Sequence, residues 1–67
     1  MAEVVGQRVK KLRTAAGVSL ERLAEQTGLA KTTITRIEQG HVSPTVSTLQ
    51  RIARALKVKV RALIPNT

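Results

Sequence analysis

The sequence predicts one small all-α domain of four or five short helices, and three observations carry that expectation. Apolar residues recur at helical spacing in segment after segment. Gly17, Gly28, Gly40 and Pro44 cut the chain into helix-sized pieces. Nothing alternates with period two for long enough to make a strand: Val58-Lys59-Val60 does so, but three residues with no partner strand form no sheet. At 67 residues the chain (1–67) is a single domain at most, of a size that buries only about 60% of its unfolded surface.

The elements follow in order. From Glu3 to Ala16, the residues Val5, Val9, Leu12 and Ala16 form the stripe of an amphipathic helix, and Gly17 stops it. Ser19 offers an N-cap for a second helix through Gln26, with Leu20, Leu23 and Ala24 on one face and Gly28 as its end. A third helix, about Lys31 to Gln39, turns Ile34 and Ile37 inward and ends at Gly40. After the loop His41-Val42-Ser43-Pro44, Thr45 caps a fourth helix reaching Leu56, with the stripe Leu49, Ile52, Ala53 and Leu56. Val60 to Ile64 adds one last turn before Pro65.

Composition excludes most chemistries. There is no Cys, hence no disulfide, thiolate metal site or cysteine nucleophile. All four acidic residues are Glu and His41 is the sole imidazole, so a Ser-His-Asp triad cannot be built and a metal site has too few donors. No enzyme activity, cofactor, metal ion or small-molecule ligand is expected. With no Trp, Tyr or Phe, nothing stacks on an unpaired base. Twelve Lys/Arg against four Glu give +8, a balance suited to a polyanion, while 42% apolar residues suffice for a folded core. With no apolar run long enough for a bilayer span or a signal-peptide core, the expectation is a cytoplasmic protein with no membrane partner.

The informative pattern lies in Leu20 to Gln39. Ala24 is small where two helices must approach, Gly28 reverses the chain within a few residues, and Leu23, Leu29, Ile34 and Ile37 form an apolar wedge. That order of small residue, Gly and apolar residues is the arrangement of a helix-turn-helix. Stepping about 100° per residue from the Ile34/Ile37 side leaves Lys31, Thr32, Thr35, Arg36 and Gln39 on the opposite arc. In a major groove, Arg36 or Lys31 can bond guanine O6 and N7, and Thr32 or Thr35 can pack on a thymine methyl.

Almost the whole chain, about residues 4 to 64, resembles the lambda-repressor-like, Cro/CI-type helix-turn-helix domains, the xenobiotic-response-element family. The matching stretches are Gly6-Gln7-Arg8-Val9-Lys10-Lys11-Leu12-Arg13, Ser19-Leu20-Glu21-Arg22-Leu23-Ala24-Glu25-Gln26-Thr27-Gly28 and Ile34-Thr35-Arg36-Ile37-Glu38-Gln39-Gly40. Ser43-Pro44-Thr45 and Thr48-Leu49-Gln50-Arg51-Ile52-Ala53-Arg54-Ala55-Leu56 continue the match. The resemblance implies a compact four- to five-helix fold and a transcriptional regulator of double-stranded DNA. It implies base reading by Lys31, Thr32, Thr35 and Arg36. It also implies that Arg13 of the first helix pairs with Glu38 near the end of the third, a place the wheel allows for Arg13 at the flank of its stripe.

Phosphate contacts are expected elsewhere. Helix N-termini present free N–H groups, so Ser19-Leu20 and Thr45 are candidate seats, and the amides of Gln39 and Gly40 are further candidates. Relatives with Gln at the Leu20 position place its amide on the backbone; Leu20 is left with a main-chain contact. His41 is expected in a loop beside DNA. The five cations Arg51, Arg54, Lys57, Lys59 and Arg61 form either a solvated face or a contact surface, and attract DNA through space in both cases.

Three positions depart from the resembled pattern. Ala30 stands where relatives usually carry a Ser cap, a loss of about 1 kcal/mol. Lys57 replaces a common Gly after the fourth helix, a strain of about 1 kcal/mol if it is left-handed. Lys59 replaces the usual Ser or Thr cap, which makes the last turn the least determined element.

One such unit buries little surface, so a homodimer on a palindromic site is expected, with half-site centres about 34 Å apart. Val58, Val60, Leu63 and Ile64 are the apolar candidates for its seam, and packing against the chain's own core competes for Val60 and Leu63. Two alternatives stand beside a small phage- or plasmid-like regulator. One is an antitoxin or the DNA-binding domain of a longer regulator. The other is a basic helical module for RNA, an acidic protein or a membrane surface, disfavoured by the absent aromatics and the four short capped helices.

Overall fold

The computed structural model describes residues 2–64, and Pro65 lies outside them. Four helices follow one another: α1 (Ala2–Ala15), α2 (Leu20–Thr27), α3 (Lys31–Glu38) and α4 (Val46–Leu56), with a final 3₁₀ turn at Val60–Ala62. Among the described residues no strand forms.

Each helix end has a local cause. Past α1, Gly17 takes φ 71°, and the N–H groups of Gly17 and Val18 donate to the carbonyls of Thr14 and Arg13 at 3.0 Å each. These bonds satisfy carbonyls that the helix leaves orphaned. Ser19 caps α2, its Oγ accepting from the Arg22 N–H at 3.1 Å. Thr45 caps α4 in the same way through the Thr48 N–H at 3.1 Å. The turn from α2 to α3 rests on Gly28 at φ 75° and on Thr27. Buried Thr27 donates its hydroxyl to the Leu23 carbonyl at 2.7 Å and accepts the Leu29 N–H at 3.3 Å.

The core gathers Val5 and Val9 of α1, Leu23 of α2, Ile34 and Ile37 of α3, and Leu49, Ile52, Ala53 and Leu56 of α4. Leu12, Leu20, Ala24 and Leu29 pack half-buried at its margin. α3 is thus pressed on its inner side by both α1 and α2. Gly6 permits the α1 contact. A Cβ there would stand 2.9 Å from the Glu38 carbonyl oxygen and 3.0 Å from its carbon, besides meeting the Ile37 carbonyl oxygen.

Three expectations need correction. Ala16 lies past the end of α1 and is exposed, so the buried stripe is shorter than the spacing implies. The last turn closes at Ala62 and is 3₁₀, with Lys59 giving no side-chain cap. Leu63 is fully buried (0% exposed) within the chain's own core and offers no surface to a dimer seam. Val58 and Val60 pack half-buried against that core, while Ile64 remains 38% exposed.

Candidate nucleic-acid interface

α3 is a rod of eight residues with two chemically distinct sides. Ile34 and Ile37 are 0% and 1% exposed, and they fix the rotation of the helix about its own axis. Lys31, Thr32, Arg36 and Gln39 consequently face solvent, with Thr35 half-buried between them. These residues and His41 line a shallow open depression of about 470 Å³. Its donors are the Lys31 ammonium, the Arg36 guanidinium, the Gln39 amide, the two Thr hydroxyls and the His41 imidazole, set along a face of the width a major groove admits.

The polar groups on this face are partly committed. The Thr35 hydroxyl donates to the Lys31 carbonyl at 3.1 Å, which leaves Thr35 with an acceptor oxygen and a methyl group for an incoming base edge. Lys31 Nζ meets Glu21 Oε2 of α2 at 2.8 Å, both side chains well exposed. The Lys31 hydrogen bond, aided by one from Glu21's own backbone, holds the Glu21 carboxyl below the usual carboxylate value. At the start of α3, Ala30 is extended and no side chain caps the helix, so its first-turn N–H groups stay open to an acceptor.

The C-terminal end of α3 overturns one expectation. Gln39 N–H donates to Thr35 O at 3.0 Å, Gly40 N–H to Ile37 O at 3.1 Å and His41 N–H to Arg36 O at 2.9 Å, with Gly40 at φ 77°. These amides close the helix on itself, so Gln39 and Gly40 present no free N–H to a phosphate. Only the side chains of Gln39 and His41 remain for contact there, both exposed.

The other sequence-derived positions sort clearly. Ser19 and Thr45 are exposed at the starts of α2 and α4, each hydroxyl already capping its helix. Leu20 is half-buried against the core, its N–H belonging to the open first turn of α2. Arg51, Arg54, Lys57, Lys59 and Arg61 are all exposed.

Arg13 and Glu38 sit behind the rod. Arg13 Nε and Nη2 reach Glu38 Oε2 and Oε1 at 2.6 and 3.2 Å, and Nη1 donates to the Val18 carbonyl at 2.9 Å. Their side chains are 11% and 7% exposed. A forked guanidinium matches a carboxylate in this two-point geometry, and it ties the end of α1 to the end of α3. Sequence reasoning missed three contributors to the site: Glu21, Thr27 and Gly6. Thr27 and Gly6 had a signal, being a polar residue before the turn glycine and a glycine inside a helical stripe. Glu21 had none, because its partner lies on another helix.

Comparison with known proteins agrees with this geometry. Residues 9–63 match a family model described as helix-turn-helix. The transcriptional regulator SutR of Escherichia coli is 42% identical over 64 residues, which are 96% of this chain and 36% of SutR. SinR, a transcriptional regulator of Bacillus subtilis, is 36% identical over 62 residues, 91% of this chain and 56% of SinR. The chain thus spans about a third to a little over half the length of these two relatives. Among solved structures, the restriction-modification controller protein C.AhdI of Aeromonas hydrophila superposes with TM-score 0.90 at 33% identity, over 94% of this chain and 96% of that one. A crystal structure of the biofilm regulator SinR in complex with DNA superposes with TM-score 0.86 at 35% identity, over 91% of this chain and 98% of that one.

Proposed function

The chain belongs to the Cro/CI-type helix-turn-helix family, and we propose that it regulates transcription by binding double-stranded DNA sequence-specifically. α3 enters the major groove. Lys31, Thr32, Thr35 and Arg36 meet base edges, and Gln39 and His41 meet the adjoining backbone through their side chains. The open N-termini of α2 and α4, around Ser19-Leu20 and Thr45, receive phosphates. The net charge of +8 draws the duplex in without regard to sequence.

One observation carries this reading. The face Lys31-Thr32-Arg36-Gln39 is fully presented to solvent by a helix whose opposite side is locked into the core and whose rear is tied by the Arg13–Glu38 pair. A helix held in that way offers side chains in fixed register, which base reading requires. That SinR, a structural neighbour at 35% identity, has been crystallised with DNA supports DNA as the partner of this chain.

The unit acts as a homodimer on a palindromic site, its half-sites about 34 Å apart. Of the seam candidates, Ile64 is the one that is exposed, at 38%, while Val58 and Val60 are half-buried. A second reading, a DNA-reading domain inside a longer regulator, is favoured by the 36% and 56% coverage of SutR and SinR. DNA recognition is the same in both.

Selection of bound duplexes from a random pool tests the function. Enrichment of one inverted repeat with the stated spacing supports it. A pool that stays random after repeated rounds, or equal capture of single-stranded RNA, contradicts it.

A further inference from the structure

Among the described residues there are two ion pairs, and they differ in kind. Arg13–Glu38 is nearly buried and structural. Lys31–Glu21 joins the first residue of α3 to the second residue of α2 with side chains 52% and 69% exposed. Exposed pairs of this sort add little to stability, and the α2–α3 contact already rests on Leu23, Ile34 and Ile37. The pair therefore has little work to do in holding the fold.

Its place says what else it does. Lys31 opens the helix proposed to read bases, on a four-carbon stem that explores many rotamers when free. An ammonium beside a duplex has two kinds of acceptor in reach: base edges, which carry sequence, and phosphate oxygens, which do not. A carboxylate 2.8 Å from Nζ restricts the stem, occupies one of three N–H donors and opposes the approach of a phosphate. Two donors remain for a base edge.

We propose that Glu21 is a positioning residue for Lys31, aiming its ammonium at one base pair of the half-site and keeping it off the phosphates. This rests on the major-groove reading of α3. Glu21 then lowers affinity for arbitrary DNA while raising discrimination at one position.

The test measures binding of the selected duplex, its single-base variants and a scrambled duplex. The proteins are the parent chain, Glu21→Ala, Lys31→Ala, the double variant, and Glu25→Gln as a charge control on the same helix, exposed and outside both ion pairs. Glu21→Ala should bind scrambled DNA more tightly, with the salt slope steeper by about one. Its preference at one base pair should fall by about tenfold, the order of one good base contact. Lys31→Ala should lose the same preference, and the double variant should lose no more. Glu25→Gln should change overall affinity with every base preference intact. A selective parent whose Glu21→Ala variant keeps all of its preferences overturns the inference alone, as does a further loss from Glu21→Ala in the Lys31→Ala background. A parent with no preference overturns the major-groove reading and the inference together.

Discussion

Arg13 of α1 grips Glu38 of α3 through two parallel contacts of 2.6 and 3.2 Å, and its third nitrogen holds the Val18 carbonyl behind them. One side chain thus joins the exit of α1, the loop before α2 and the end of α3. With both side chains nearly buried, the pair behaves as an interior one. Such a pair matters most when it is broken singly, because the survivor is left charged and unpartnered.

Glu38→Gln should therefore destabilise the domain by roughly 3 kcal/mol. For a chain of this size that lowers Tm by more than about 10 °C. Thermal unfolding followed by circular dichroism checks this. A variant melting within a degree or two of the parent shows that the pair contributes nothing.

Gly6→Ala sets two effects against each other. Ala in a helix interior is favoured over Gly by about 1 kcal/mol. Here the new methyl would meet the Ile37 and Glu38 carbonyl oxygens, backbone atoms that cannot swing aside. Overpacking of that sort costs about 1–3 kcal/mol, so the clash wins and the variant should unfold at lower urea. A higher midpoint would mean that α1 and α3 separate freely.

Lys57→Gly should be stabilising. Lys57 is the sole described non-glycine residue with positive φ, at 60°. The N–H groups of Lys57 and Val58 close α4 onto Arg54 and Ala53 at 3.2 and 2.9 Å. Only the left-handed conformation allows this closure, and glycine adopts it without the roughly 1 kcal/mol that a Cβ adds. Urea unfolding should show a gain of up to about 1 kcal/mol, and a loss would mean that the lysine stem packs usefully on α4.

The helices were legible because their signals are local. Ser19, Gly28, Thr45 and the stripe Leu49-Ile52-Ala53-Leu56 announce themselves within a few residues, and so does the outward arc of α3. What escaped was set by contacts distant in sequence. For Leu63 the local sequence left a dimer seam and its own core as rivals, because the choice depends on where α4 delivers the chain. The amides of Gln39 and Gly40 looked available, yet they donate to the Thr35 and Ile37 carbonyls as α3 closes. Glu21 and Lys31 are ten residues apart, and only the turn between their helices brings them together.

Affinity of Arg36→Ala for the selected duplex and for a scrambled one tests the central claim most directly. If the outward face of α3 reads bases, the variant loses roughly 1–3 kcal/mol on the selected duplex and far less on the scrambled one. Equal losses on both would make Arg36 a phosphate contact and contradict the account of this face.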